Sequence, residues 1–411
     1  MNKKSKDIQE DWHRAIPPKA DLWFSHSTSS QHQCLTTGEA ASCLIRDSCF
    51  VDSKIAFECV DPLDNSCASL PAVYSFSRHT NEFVPSLSKY EINFLPLNSS
   101  ESNLMHQNVK RMTDRVLVLL SPYYTQNIGH IIGDDIFAIF LALSSFHLQM
   151  HKVTVVLHIN DSPLTQRVRE LFSSVDFEVI TLADTSGLCA KRVVAGISGL
   201  TFTRPVLQGN GLLLDNFNQW LLSRANLQED TRIKKGKKNK LKVLVLQKDF
   251  SSSHHPMGMQ NGAEVAAMIA GEYSSSLEVV VLNQVSKKQT YTESIKEFAN
   301  TDILISSPGS DLMNGIYLRP GACMVVICYC KFLRSDGHCD STLALEVAQW
   351  YRVRGSVHIS PYCNITKEEL VDTGKNPWAG WEGQPWHQVV VQKEKLLPLV
   401  KDCMRFIKDR N

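Results

Sequence analysis

The alternation of apolar and polar positions changes character near Arg115. Residues 1–110 are rich in Ser, Cys, Pro and Asn and hold only short apolar runs, which predicts an extension with a few short strands resting on the main body. From Arg115 onward, unbroken apolar runs alternate with longer amphipathic stretches. RVLVLLS has the pattern of a buried strand, and a long apolar helix follows from about Asn127 to His147. VTVVLHI is the next strand, and DSPLTQRVRELFSS reads as a helix capped by Asp161 or Ser162. FEVITL and KRVVAGI continue the series. Strands that alternate with helices predict a parallel sheet.

The basic run RIKKGKKNK (232–240) interrupts the series and reads as a solvated linker, since no aromatic residue is interleaved to suit a nucleic acid. A second series follows: LKVLVLQ as strand, GAEVAAMIAGEY as helix, LEVVVL as strand, TESIKEFAN as helix, then the strands DILISS and ACMVVICY. The predicted organisation is an N-terminal extension (1–110), a first Rossmann-like domain (111–231), the basic linker (232–240), a second Rossmann-like domain (241–360) and a C-terminal segment (361–411). The last of these ends in the amphipathic helix EKLLPLVKDCMRFIKDR, expected to return to the first domain. The fold class is thus α/β and GT-B-like, two Rossmann-like domains with a cleft between them. Open α/β sheets bind ligands at the carboxyl ends of their strands, so the cleft is the expected site.

Composition narrows the partners. With 43 Lys and Arg against 42 Asp and Glu, the formal net charge of +1 gives no reason to expect nucleic acid or an anionic membrane. Twelve cysteines, crowded at Cys34, Cys43, Cys49, Cys59 and Cys67 and again at Cys328, Cys330 and Cys339, read as disulfides or free thiols. A zinc site at Cys328, Cys330, His338 and Cys339 is the rival reading, with spacing that matches no standard module. Sequons at Asn98, Asn160 and Asn364 support a secretory location weakly. The first residues contain no apolar run able to serve as signal or membrane anchor, which leaves a cytosolic protein or a chain whose leader lies outside this sequence.

Two segments could carry chemistry. In SPYYTQNIGHIIGDDIFAIF (121–140), a regular helix puts Asn127, His130 and Asp134 within an arc of roughly 60°, with Ile132, Ile136, Ile139, Phe140 and Leu143 opposite. Asp134 can hold the imidazole four residues before it or act itself as general base; equally, Asp134 and Asp135 could simply complement the dipole of a solvated helix start. In DILISSPGSDLMNGIYLRPGACMVVI (302–327), a buried strand runs through a glycine turn into a helix capped by Ser310 or Asp311. Backbone N–H groups at such a start suit a diphosphate, although most such turns bind nothing.

Together the two segments resemble the two signatures of glycosyltransferase family 61, the first of the form N-x-x-H-x-x-x-D/E. Asn127, His130 and Asp134 match it, with Asp135 as second acid; Asp302, Ile303, Leu304, Ile305, Gly309, Leu312, Asn314, Leu318, Pro320 and Gly321 match the second. Pro308, Asp311 and Met313 depart from it, and Lys248 stands where the family tends to carry arginine. The resemblance implies an inverting, metal-independent hexosyl- or pentosyltransferase with no cofactor beyond its donor substrate. It would move GlcNAc or xylose from a UDP-sugar to a hydroxyl of a glycan or glycoprotein, in the lumen of the Golgi or endoplasmic reticulum. On this reading Asp134, in preference to Asp135, is the base and His130 and Asn127 orient donor or acceptor. Lys248 and the backbone at Gly309, Ser310 and Asp311 hold the diphosphate, and Asn314 contacts the nucleotide or braces the loop. The alternative is an inactive relative that binds a glycan or protein, because a carboxylate at Asp311 would repel a diphosphate. Trp378, Trp381 and Trp386 could stack on sugar or fill an interdomain cluster.

Overall fold

The computed structural model describes residues 25–28, 32–37, 40–51, 54–58, 94–97, 109–122, 128–157, 163–196, 211–227, 240–247, 258–283, 290–307, 310–342, 356–375 and 385–410. It is a mixed α/β structure of two compact units, Met1–Val206 and Leu207–Asn411.

The first unit is built on a 10-stranded sheet. Its strands are β1 (Ser25–Thr28), β2 (His32–Thr37), β3 (Ala40–Val51), β4 (Lys54–Glu58), β5 (Phe94–Leu97), β6 (Lys110–Met112), β7 (Arg115–Leu120), β8 (Lys152–Leu157), β9 (Phe177–Thr181) and β10 (Leu188–Ala195). β10, β7, β8 and β9 lie side by side and parallel, so β7, the first of them in the chain, is flanked on both sides. Val116–Leu120 are all buried, as the unbroken apolar run requires of a strand covered on both faces. Two helices, α1 (Ile128–Ser145) and α2 (Pro163–Ser173), follow β7 and β8. α1 is long and apolar enough to cross a membrane, yet 78% of it is buried in the fold, as in a core helix.

The N-terminal region is more than an extension resting on the body. β3 hydrogen-bonds antiparallel along β10, from Cys49 opposite Cys189 to Cys43 opposite Ala195, and so continues the main sheet. Disulfides link Cys34 to Cys43 and Cys49 to Cys189, each joining residues directly opposed across neighbouring strands.

The second unit has a five-stranded parallel sheet of β11 (Leu241–Gln247), β13 (Leu277–Asn283), β14 (Ile303–Ser306), β15 (Cys323–Ile327) and β18 (His358–Tyr362), in the order β13-β11-β14-β15-β18. Again the first strand in the chain is flanked on both sides. A second, three-stranded sheet joins β12 (Gly258–Met259), β20 (Pro385–Val389) and β19 (Leu370–Lys375), and a hairpin pairs β16 (Tyr329–Leu333) with β17 (Cys339–Thr342). The helices are α3 (Gly211–Arg224), α4 (Gly262–Tyr273), α5 (Tyr291–Ala299) and α6 (Lys393–Arg410), with a 3-10 helix at Ser310–Tyr317.

Two expected boundaries are corrected. α3 was expected in the first domain but belongs to the second unit, because its polar side chains are fastened there. The buried Asn218 Nδ2 donates to the carbonyls of Ile316 and Leu318, the latter at 3.1 Å, and the Ser356 hydroxyl donates to Asp215. The basic run 232–240 lies outside the described residues apart from Lys240. The terminal helix α6, expected to return to the first domain, is instead a core element of the second unit. Its stripe of Leu396, Val400, Cys403 and Ile407 is buried on β15 and β18, and Cys403 is bonded to Cys323 of β15. Cys328–Cys363 and Cys330–Cys339 close the same region, so these thiols pair with one another rather than with zinc. Among the described residues no cysteine is free and no group of three or more His, Cys, Asp or Glu could hold a metal; Cys59 and Cys67 lie outside them. The pairs suit an oxidising compartment.

α6 is also held by a buried carboxylate. Glu369, almost fully enclosed, accepts from the Thr366 N–H at 2.8 Å, from the Thr366 hydroxyl at 3.1 Å, and from Tyr362 Oη and Lys395 Nζ. Burial by itself would raise its pKa, but the bonds from Lys395, Tyr362 and Thr366 outweigh that and hold the carboxyl below its ordinary value. Its contribution is therefore complete above the unfolded glutamate pKa and lost as pH falls through the lower folded value. We expect Glu369→Gln to cost about 1.5–3 kcal/mol at pH 7 by urea unfolding. The difference between variant and wild type should shrink in acid; a difference constant from neutral to acid pH would contradict the assignment.

Candidate functional site

In a sheet whose first strand is central, the connections leaving the two neighbouring strands run to opposite faces, and the crevice between them at the carboxyl edge is where ligands bind. In the first unit that point lies between β7 and β10. The first candidate motif follows β7 directly, at the head of α1. His130 Nδ1 and Asp134 Oδ2 are 2.6 Å apart, within a charge-assisted hydrogen bond. The two differ in access: the His130 side chain is 32% exposed and that of Asp134 9%. Asp135 is fully enclosed. Asn127 lies outside the described residues.

The helix that carries the pair departs from the expected geometry. Ile131–Ile136 form a π-helical stretch, in which the Phe137 N–H reaches back to the Ile132 carbonyl. π stretches inside helices are rare and concentrate at functional sites. The expected division into polar and apolar arcs is also absent, since every residue from Ile131 to Ser144 is buried. Asp134 and Asp135 are therefore interior carboxylates rather than members of a solvated helix start. The sequence concealed this because helical periodicity assumes 3.6 residues per turn throughout.

In the second unit the equivalent point lies between β11 and β14. Three bonds fasten the carboxyl ends of these strands, two to β12 and one to the head of α4. Gln247 Oε1 accepts from the Gly262 N–H at 2.6 Å, Gln247 Nε2 donates to the Met259 carbonyl at 3.3 Å, and the Met259 N–H donates to Ser307 Oγ at 2.6 Å. A Cβ on Gly262 would lie 2.1 Å from Gln247 Oε1, so glycine is what admits the amide to the head of α4. Asn261 makes a reciprocal pair with the backbone of Val391, through Oδ1 at 2.9 Å and Nδ2 at 3.1 Å.

Lys248 and Gly309 lie outside the described residues, as do the side chains of Ser310 and Asp311, whose backbone opens the 3-10 helix. Asn314 is 1% exposed and accepts a 2.9 Å bond from Tyr291 Oη of α5. It thus braces the 3-10 helix against α5. Trp378 and Trp381 also fall outside the described residues, together with the side chain of Trp386. The residues missed by sequence reasoning are Gln247, Ser307 and His387. The signal for His387 was the strand-like alternation of WHQVV, which the cluster of tryptophans around it obscured.

No protein-family model matches the chain, and no curated protein matches it.

If Asn314 is a brace, Asn314→Ala and Tyr291→Phe should each lower stability, by about 1 kcal/mol, with a clearly non-additive double variant. Additive losses in thermal or urea unfolding would contradict the pairing.

Proposed function

We propose that the chain is a glycosyltransferase that moves GlcNAc or xylose from a UDP-sugar to a hydroxyl of a glycan or glycoprotein, in a secretory compartment. The carrying observation is the His130–Asp134 bond at the head of the helix that follows β7, an interior strand of its sheet. Further support comes from the second motif, which begins in β14, next to β11, the first strand of the other sheet. The five disulfides among the described residues agree with a luminal setting. On this reading the two units are the Rossmann-like domains of a GT-B-like enzyme, and the chain is a divergent relative of glycosyltransferase family 61.

The exposure of the pair shifts the assignment of the base. His130 is the accessible member and Asp134 the enclosed one, so His130 takes the proton while Asp134 fixes the ring and steadies the imidazolium. The acceptor oxygen, relieved of its proton, attacks the anomeric carbon in line. The bond from that carbon to the diphosphate breaks, and its electron pair leaves with UDP. Lys248 and the backbone of Gly309, Ser310 and Asp311 are the proposed partners of the departing charge, where preorganised donors contribute most. Asp135 is enclosed and takes no part in the transfer.

UDP should raise the melting temperature of the full chain. His130→Ala and Asp134→Asn should each keep that response and lower transfer or UDP-sugar hydrolysis by about 10²–10⁴-fold, and the double variant should lose little more. Unchanged turnover in either variant would sink the assignment. UDP binding without turnover in the wild type would favour the second reading, a glycan- or protein-binding relative, for which Pro308, Asp311 and Met313 already speak.

A further inference from the structure

β12 spans the carboxyl ends of β11 and β14 through Met259, and β20 runs parallel to it with Gly258 opposite Gln388 and Met259 opposite Val389. β20 also packs against β16, the strand that follows β15. The three-stranded sheet is thereby placed over the carboxyl edge of the parallel sheet. Met259 and Val389 are buried in the core of the unit, so one face of β20 looks inward. Side chains two apart on a strand share a face, which puts His387 on that inward side with Val389.

His387 is 8% exposed, and its Nδ1 has no hydrogen-bond partner among the described residues. A buried polar atom with nothing to bond is rare in a native fold and costs free energy unless something outside the chain satisfies it. Asp372 stands opposite His387 in the register of β19 and β20. Burial draws the imidazole below the ordinary histidine range against the pull of that carboxylate, which leaves the ring neutral at physiological pH. A neutral ring offers a directional hydrogen bond without adding charge.

We propose that His387 is a ligand-contacting residue of the second unit, whose Nδ1 hydrogen-bonds an oxygen of a uridine nucleotide held at the carboxyl edge beside β11 and β14. The assignment rests on the donor class proposed above and adds a residue that the sequence motifs do not contain. It distinguishes His387 from Asn314, Gln247 and Ser307, whose polar atoms already have partners within the chain.

The test is calorimetric titration of the full chain with UDP, with melting temperature measured in the absence of nucleotide. His387→Leu should weaken UDP binding by about tenfold or more, the loss of one directional hydrogen bond. Its nucleotide-free melting temperature should match or exceed that of the wild type. His387→Asn, whose amide places a polar atom near the position of Nδ1, should restore most of the affinity. Equal UDP affinity in wild type and His387→Leu would overturn the proposal while leaving the transferase reading intact. A marked fall in the nucleotide-free melting temperature of both variants would overturn it too, by making His387 a structural residue. No binding of UDP by the wild type would overturn the transferase reading and this inference with it.

Discussion

A parallel sheet cannot be closed by tight turns; each strand must be reached by a connection that crosses a face. When the first strand lies in the middle, the chain winds away from it in both directions, and no connection covers the point where the winding reverses. Both units obey this constraint, one around β7 and the other around β11. The unbroken apolar runs of those strands match their burial, with Val116–Leu120 and Val243–Leu246 all enclosed. The candidate pair His130 and Asp134 lies where the chain leaves β7, and Gln247 and Ser307 lie at the carboxyl ends of β11 and β14.

The two edges are furnished differently. After β7 the chain enters a buried helix with a π-helical stretch, and a carboxylate–imidazole pair is held at its head. At the edge of β11 and β14, by contrast, side chains fasten backbone. Gln247, Asn261 and Ser307 each bond a main-chain N–H where β12, the head of α4 and the segment after β20 dock. Glu369, through Lys395, and the Cys323–Cys403 disulfide fasten α6. The second unit is therefore stapled around its edge, and His387 Nδ1 is one of a few buried polar atoms there outside these bonds.

Much of this was legible in the sequence, for a physical reason. Apolar runs such as VLVLL at β7 and VLVL at β11 admit few readings other than buried strands, and the intervening stretches carry helical periodicity. Long-range placement was not legible. α3 reads as a continuation of the first series, and only the bonds of Asn218 and Asp215 assign it to the second unit. α6 reads as an amphipathic helix whose partner the sequence does not name, and the Cys323–Cys403 bond supplies it. The strands before Arg115 looked peripheral because the apolar runs there are short, yet β3 extends over twelve residues and pairs along β10. At the candidate site, residue types and spacing pointed to His130 and Asp134, but periodicity gave them a solvated face. Asp134 is instead buried, together with Asp135, in a π-helical stretch that no spacing rule registers.

The central claim is that the carboxyl edge of the second unit receives a uridine nucleotide. Hydrogen exchange of the full chain with and without UDP tests it most directly, since amide protection reports where a ligand orders the backbone. The account predicts slower exchange in Ile303–Tyr317 and Pro385–Val391, with α2 of the first unit unchanged. Unaltered exchange in both segments at saturating UDP would contradict it.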